Sequence, residues 1–165
     1  MTRPRFHAFR LRPLPLALAL IQATLPMIGA RVGDPTLMGI AEPVAVVQFL
    51  FVALSFAALT ALYVTSDFSV ANVFENSHSQ KPLVYKISGV WGNHEGSMLL
   101  WALILAVFGA MVAIFSKNLP DSLRANVLGV QSWIAAAFQL FILATSNPFA
   151  RLPQAPFEGR DLNPI

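Results

Sequence analysis

The sequence predicts an all-α integral membrane protein with about four transmembrane helices. Of the 165 residues, 56% are hydrophobic and only 12% are charged, whereas an ordinary soluble domain carries about 25% charged residues. The 11 basic and 8 acidic residues also leave four uncharged windows, at residues 13–30, 43–66, 96–116 and 125–150. Crossing the hydrocarbon takes about 20 apolar residues, and a charge at mid-span costs about 2.5–3.5 kcal/mol. Each window is therefore suited to lipid.

The first two windows are expected to form helices over residues 14–30 and 44–64. The second is the clearer one because, apart from Gln48, Ser55 and Thr60, it is built from aliphatic and aromatic residues. The first is shorter and is interrupted by prolines. Four arginines precede it, so a cleaved signal peptide and a mitochondrial targeting segment remain alternatives to a retained span. Retention is favoured, since no convincing cleavage site follows the apolar stretch.

The third and fourth windows are expected to form helices over residues 97–116 and 125–145. The pair Gly96-Ser97 stands before the third helix in the position of an N-cap. Inside that helix small residues recur at a spacing of four, at Ala102, Ala106 and Ala110. This spacing predicts a face that packs closely on a neighbouring helix. A stop signal, Asn147-Pro148, follows the fourth helix.

The polar segments divide the chain into three parts. Residues 1–13 form a basic segment, residues 14–150 form the membrane domain with its long loop 67–95, and residues 151–165 form a tail expected to continue into a longer protein. The chain has no cysteine, so disulfides and thiolate metal sites are excluded. Its basic residues are scattered rather than gathered in a stripe, which argues against a nucleic-acid partner. No catalytic or metal-binding residues are predicted, because no motif of suitable spacing occurs.

The most informative stretch is Trp91-Gly92-Asn93-His94-Glu95-Gly96-Ser97, which stands just before the third helix. Further pieces follow a fixed order along the chain: Ser66-Asp67-Phe68-Ser69-Val70, Thr145-Ser146-Asn147-Pro148-Phe149 and Phe157-Glu158-Gly159-Arg160-Asp161. From about Leu18 onward these motifs resemble the N-terminal part of the CcmF heme lyase family of cytochrome c maturation, which includes NrfE and CcsA. The first dozen residues do not share the resemblance.

The resemblance implies a multi-pass protein of the bacterial inner membrane, or of the mitochondrial inner membrane if the chain is organellar. Such proteins accept heme from the chaperone CcmE and act with CcmH to attach it covalently to apocytochrome c. The family's tryptophan-rich heme-handling loop and heme-ligating histidines lie outside the stretch that this chain matches. The remaining part of the family protein is therefore an expected partner. Heme is expected as a cofactor of the complex, and direct binding by this chain stays open.

Two groups of residues are candidates for a site. The family-motif or heme-handling group consists of Trp91, Gly92, Asn93, His94, Glu95, Gly96 and Ser97. The group for partner contact or structure consists of Asn147, Pro148, Glu158, Gly159, Arg160 and Asp161. His94 has the chemistry to ligate heme iron, but a structural turn whose polar side chains bind the backbone is favoured. Trp91 suits the membrane interface, and Trp101, which lies a turn inside the span, is expected to serve in packing. For Arg160 and its acidic neighbours, a partner contact and local pairing are equally open.

Charge and resemblance disagree about orientation. Four spans put both ends on one side, which carries eight Lys and Arg residues against three on the other, and the positive-inside rule places the richer side in the cytoplasm. The resemblance places the loop 67–95 and the tail outside. We follow the resemblance, because without the first dozen residues the counts become four and three. Two further functions remain alternatives, a non-catalytic membrane scaffold subunit and a transporter of heme or another small solute, although transporters usually carry intramembrane charges.

Overall fold

The structure, a computed structural model, describes residues 14–161. Over that range the chain is helical, and its only extended pairing is an isolated antiparallel bridge between Val70 and Arg151. The helices, in chain order, are α1 Leu14–Val32, α2 Pro35–Gly39, α3 Ala41–Val64, α4 Ala71–Asn76, α5 Leu83–Gly89, α6 His94–Phe115 and α7 Asp121–Ala144. The predicted basic segment 1–13 and the last four residues of the tail lie outside the described residues.

Four helices are long and apolar enough to cross a membrane. They are Leu14–Val32, Pro35–Val64 (α2 continued by α3), His94–Phe115 and Asp121–Ala144. The predicted all-α class and the four spans are confirmed. Three helices begin earlier than the predicted residues 44, 97 and 125, because α3, α6 and α7 each start with a charged turn outside the apolar stretch. An acidic side chain in that first turn, Glu95 or Asp121, is favourable at the positive end of a helix.

The spans form an up-and-down bundle. Helix α1 packs mainly on α7, α3 packs mainly on α6, and α6 also contacts α7. Residues 65–93 and 145–161 therefore lie together at one end of the bundle, which we call the loop face. Residues 33–40 and 116–120 lie at the other end, which we call the connector face. The polar motifs of the chain all come to the loop face.

Small residues allow the close packing of the spans. Ala102, Ala106 and Ala110 of α6 are 2–7% exposed, which confirms the packed face that their spacing predicts. On α7, Gly129 lies so close to α1 that an added Cβ would meet the Met27 side chain. Because lipid tails are as apolar as the helix surfaces, close backbone approach of this kind is a main source of helix association.

An ion-pair cluster ties the spans together at the connector face. The Arg124 guanidinium lies 2.6 Å from Glu42 Oε1 and 2.7 Å from Asp121 Oδ1. It also donates a hydrogen bond to the Ser116 carbonyl oxygen at 3.4 Å. One cation thus joins the start of α3, the end of α6 and the start of α7.

Large apolar side chains cover the outside of the bundle. On α6, Trp101, Phe108 and Phe115 are 56%, 58% and 75% exposed. Trp101 therefore lies mostly outside the packed interior of the described bundle, and the packing expected of it stays a prediction. Apart from Leu99, the inward face of α6 is occupied by alanine and glycine, and Trp101, Phe108 and Phe115 point outward, towards lipid or further membrane helices.

Candidate functional site

The chain leaves α3 through a tight turn at the loop face. Ser66 has a φ of 53°, in the left-handed region. The amides of Ser66 and Asp67 donate to the carbonyl oxygens of Tyr63 and Leu62. This is the Schellman motif of helix ends, with serine where glycine is usual. The Ser66 hydroxyl also accepts a hydrogen bond from Lys86 Nζ at 2.8 Å, which joins α5 to the end of α3.

A buried hydrogen-bond network lies under the motif segment 91–97. The Tyr63 hydroxyl donates to Asn72 Oδ1 at 2.6 Å, and Asn93 Nδ2 donates to the Tyr63 hydroxyl at 2.9 Å. Asn72 Nδ2 donates to Asn93 Oδ1 at 2.8 Å and to Glu95 Oε2 at 3.1 Å. Tyr63 and Asn72 are 0% and 5% exposed. A buried network whose members satisfy one another is rigid, so α3, α4 and the start of α6 are held as one unit.

Asn93 is the N-cap of α6. Its Oδ1 accepts a hydrogen bond from the Gly96 amide at 2.8 Å, and its Nδ2 also donates to the Gly89 carbonyl oxygen at 2.8 Å. The prediction that Gly96-Ser97 caps this helix is therefore wrong. Asparagine is among the best N-cap residues because its short side chain reaches the free amides of the first turn. The Ser97 hydroxyl instead donates to the Trp91 carbonyl oxygen at 2.7 Å.

The two glycines of the motif differ in what surrounds them. A Cβ added to Gly96 would overlap the Val90 carbonyl oxygen, so only glycine fits there. A Cβ added to Gly92 would lie 3.4 Å from the Ser88 carbonyl oxygen, which is an ordinary contact. The close approach of the backbone therefore requires glycine at residue 96 but not at residue 92.

Trp91 and His94 are the large motif side chains that stay open to the surroundings. Trp91 is 42% exposed. His94 is also exposed, and the edge of its ring meets Phe141 of α7 with the ring centroids 6.0 Å apart. The interpretation as a structural turn therefore suits Asn93, Gly96 and Ser97. Contact with a partner is geometrically open to Trp91 and His94.

The described residues do not build a heme site on their own. Haem iron takes axial ligands such as histidine, but the other described histidine, His78, lies 3.8 Å from Glu158 and its Nδ1 accepts the Gln80 amide. Among residues 14–161, no three His, Cys, Asp or Glu side chains form a group that holds a metal ion. The residues therefore do not fit a complete heme pocket.

A polar cleft of about 250 Å³ opens beside the network. Its wall includes the carboxylates of Glu75 and Glu95 and the amides of Asn72 and Asn147. In volume the cleft lies just below the roughly 300–1,000 Å³ that is usual for small-molecule sites. Its carboxylates suit a single cationic side chain or another hydrogen-bond donor.

The tail folds back onto the loop. The Glu158 carboxylate accepts hydrogen bonds from the Ser79 amide at 2.9 Å and the Ser79 hydroxyl at 2.6 Å. These bonds, that of the hydroxyl first, hold the pKa of the Glu158 carboxyl below its usual range. Lys81 Nζ lies 2.7 Å from Asp161 Oδ2, and the Arg160 guanidinium lies 5.0 Å from the centre of the Phe74 ring. The charged tail residues thus pair with the loop of their own chain rather than with each other.

Backbone contacts also join the tail to the loop. The Ala71 amide donates to the Ala150 carbonyl oxygen at 2.8 Å, and the Leu152 amide donates to the Ser69 carbonyl oxygen at 2.9 Å. Gly159 lies against the Ser77 carbonyl oxygen, where a Cβ would overlap it. The pair Asn147-Pro148, which follows the fourth span, also stabilises this region. Asn147 Oδ1 accepts a hydrogen bond from the Phe149 amide at 3.0 Å, and Pro148 is fully buried. The tail and the loop form one layer over the bundle.

Sequence reasoning missed four residues that hold this layer together. Tyr63 and Asn72 form the buried network, and Ser79 and Lys81 bind the tail. A tyrosine at the end of an apolar span was the available signal for the first. The other three stand in an ordinary polar loop, and nothing in their spacing predicts partners far along the chain.

The fold and the site define a polytopic α-helical membrane protein with a structured polar layer at one face. The family model described as "Cytochrome C assembly protein" matches residues 91–165. The cytochrome c-type biogenesis protein CycK of Rhizobium meliloti (strain 1021) is 69% identical over 152 residues, which are 92% of this chain and 22% of CycK. The cytochrome c-type biogenesis protein CcmF of Escherichia coli (strain K12) is 42% identical over 153 residues, 92% of this chain and 24% of that protein.

A solved structure, "Cytochrome c Heme Lyase CcmF", matches with a TM-score of 0.81 at 25% sequence identity. The match covers 93% of this chain and 27% of that one. The chain belongs to the CcmF family of cytochrome c-type biogenesis proteins, which confirms the resemblance seen in its motifs. It spans about a quarter of the length of these relatives.

Proposed function

We propose that this chain is the N-terminal part of a cytochrome c maturation heme lyase and that it positions the membrane surface at which heme is handed to apocytochrome c. The observation that carries the proposal is the location of the segment 91–97. This segment lies on top of a four-span bundle, is fixed from below by the Tyr63–Asn72–Asn93 network, and leaves Trp91 and His94 exposed. A rigid base with two exposed aromatic side chains suits contact with a partner or with one edge of a porphyrin.

In this proposal the chain's own residues hold the contact surface in place and do not ligate the heme iron. They lack a second imidazole opposite His94 within the described part of the chain. Heme ligands and the tryptophan-rich loop are then contributed by the rest of the family protein, either as a continuation of this polypeptide or as a separate subunit. The other partners are the heme chaperone CcmE, CcmH and apocytochrome c.

The proposed location is the bacterial inner membrane, or the mitochondrial inner membrane for an organellar chain, with the loop face outside the cytoplasm. Among residues 14–161 the loop face carries four Lys and Arg residues, and the connector face together with the helix turns that border it carries three, so charge does not oppose this orientation. A cysteine at Gln80, which is exposed, is expected to react with an impermeant thiol reagent on intact cells. A cysteine at Asn118 on the connector face is the matched control and is expected to react only after lysis. The opposite labelling pattern would reverse the orientation.

A non-catalytic scaffold subunit is the second candidate function. It is favoured by the burial of Asn72 and by the structural use of Asn93, Gly96 and Ser97, which hold the fold instead of standing free. A transporter is disfavoured, since the ionisable side chains of the described spans lie near their ends and no charge lines their interior.

Heme staining of c-type cytochromes tests the leading proposal. Deleting the gene in the organism that carries it is expected to abolish covalently bound heme, and the wild-type gene is expected to restore it. Normal staining in the deletion strain would reject the proposal. Restoration by a double variant that lacks both exposed aromatics, Trp91→Ala with His94→Ala, would favour the scaffold over a contact surface.

A further inference from the structure

A small polar cavity lies inside the bundle, where the spans meet. Each of three spans directs polar side chains towards it: Gln22 from α1, Gln48 from α3, and Gln131 and Ser132 from α7. The fourth span, α6, contributes small residues, Ala106 and Gly109. Residues of all four helices thus line the cavity.

Several polar atoms around the cavity have no partner among the described residues. Gln22 is 2% exposed; its Nε2 donates to the Ala41 carbonyl oxygen at 3.2 Å, but its Oε1 is buried without a hydrogen bond. Gln48 and Ser132 are 4% and 3% exposed, and neither side chain makes a hydrogen bond within residues 14–161. Gln131 differs, because its Nε2 donates to the Leu105 carbonyl oxygen of α6.

A membrane makes such unpaired groups costly. Bulk water does not reach the hydrocarbon region, so polar groups there must be satisfied from within the protein. Buried polar groups that lack a protein partner are usually satisfied by an internal water, which binds two to four of them. The atoms around this cavity include acceptors (the glutamine oxygens) and donors (the Gln48 amide and the Ser132 hydroxyl), which is the mixture that water complements.

The size of the cavity limits which ligand it can hold. It offers about 10 Å³ to the centre of a water molecule, which is close to what one water occupies and too little for anything larger. No ionisable side chain lines it, so a bound cation would lack a counter-charge.

We propose that the cavity binds a single structural water that bridges Gln22 Oε1 on α1, the Gln48 amide on α3 and the Ser132 hydroxyl on α7. The water satisfies the three groups at once and thereby fixes the register of three spans. This role concerns the assembly of the bundle and is independent of the proposed heme-related function.

A double-mutant cycle tests the bridge in the protein purified in detergent. Gln48→Met and Ser132→Ala each remove one partner of the water while keeping the helix. The two side chains make no direct hydrogen bond, and a water that bridges them couples their effects. The double variant is therefore expected to differ from the product of the two single effects on the unfolding equilibrium by at least about threefold. The matched control pairs Ser132→Ala with Thr60→Ala. The Thr60 hydroxyl bonds a carbonyl of its own helix, so this pair is expected to be multiplicative. Effects of Gln48 and Ser132 that multiply in the same way would overturn the proposal.

A second measurement keeps the test independent of stability. A map of the wild-type protein at a resolution that shows waters is expected to contain a peak within about 2.6–3.2 Å of Gln22 Oε1 and of Gln48, and the Ser132→Ala variant is expected to weaken it. A map with ordered waters elsewhere and no peak in this cavity would overturn the proposal even if the cycle showed coupling.

Discussion

Replacing Asn93 with alanine removes the side chain that joins several segments of the loop face by hydrogen bonds. The change deletes the N-cap bond to the Gly96 amide and the bonds to the Tyr63 hydroxyl and the Gly89 carbonyl oxygen. It also removes the acceptor of Asn72 Nδ2, which keeps its bond to Glu95. The variant therefore tests whether the motif segment is chiefly a structural element.

The expected cost follows from these bonds. Loss of an asparagine N-cap costs about 1 kcal/mol. Leaving the partly buried Gly89 carbonyl oxygen and the buried amide and hydroxyl partners under-satisfied adds about 1–2 kcal/mol. The sum, about 2–3 kcal/mol, corresponds to a roughly 30- to 150-fold shift of the unfolding equilibrium. The substitution Asn93→Asp keeps the acceptor oxygens and is expected to cost less.

The assay is equilibrium unfolding of the purified protein in mixed detergent micelles, followed by helical circular dichroism. Asn118→Ala is the matched control, because Asn118 is exposed on the connector face and makes no described side-chain hydrogen bond. An Asn93→Ala variant within about 0.5 kcal/mol of wild type, the usual range of surface substitutions, would refute the structural interpretation of the motif.

Three further predictions concern other parts of the fold. Gly96→Ala is expected to cost at least about 2 kcal/mol by overlap with a backbone carbonyl, whereas Gly92→Ala is expected to stay within about 0.5 kcal/mol in the same unfolding assay. Arg124→Gln is expected to cost about 1.5–3 kcal/mol, since it leaves the Glu42 carboxylate without its charged partner; adding Glu42→Gln should then cost little more, and full additivity of the two changes would contradict the pairing. The folded-state pKa of Glu158 is lowered, so its tail contact is complete above the ordinary glutamate pKa of about 4.3 and is lost as the pH falls through the lowered value. A carboxyl NMR titration is expected to show that low pKa, and Ser79→Ala is expected to raise it; an unchanged pKa in the variant would contradict the contact.

The spans could be predicted from sequence because one physical quantity, the cost of charge in hydrocarbon, decides where they lie. The helix starts could not be predicted in the same way. A helix continues past the hydrocarbon as long as its backbone amides are capped, so α6 begins at His94 because Asn93 caps it, and the charge of Glu95 is no obstacle there. Trp101 shows the same limit, because which face of a span is inward depends on its neighbours.

The candidate site could likewise be predicted only in part. The segment 91–97 was recognisable as a motif, but the role of each residue depends on partners distant in sequence. Asn93 binds Tyr63, and Glu158 binds Ser79. Such pairs are created by the return of the chain to the same face of the membrane. A sequence shows that polar residues stand outside the spans, and only the packed bundle shows which of them meet.

The exposed aromatics of the motif provide the sharpest separation of function from structure. His94→Ala removes an exposed ring whose described contact is an edge against Phe141, so protein abundance and stability are expected to stay close to wild type. If the histidine contacts heme or a partner, covalent heme in c-type cytochromes is expected to fall at least tenfold at unchanged abundance. Trp91→Phe tests the indole in the same way, with Trp133→Phe as the control, because Trp133 is similarly exposed but lies within α7. Full heme attachment in both motif variants would confine the segment to a structural role, since nothing else in it presents a large side chain to a partner. If covalent heme and protein abundance fell by the same factor, the segment would again be assigned a structural role. A residue that contacts heme or a partner must lower heme attachment without lowering the amount of protein.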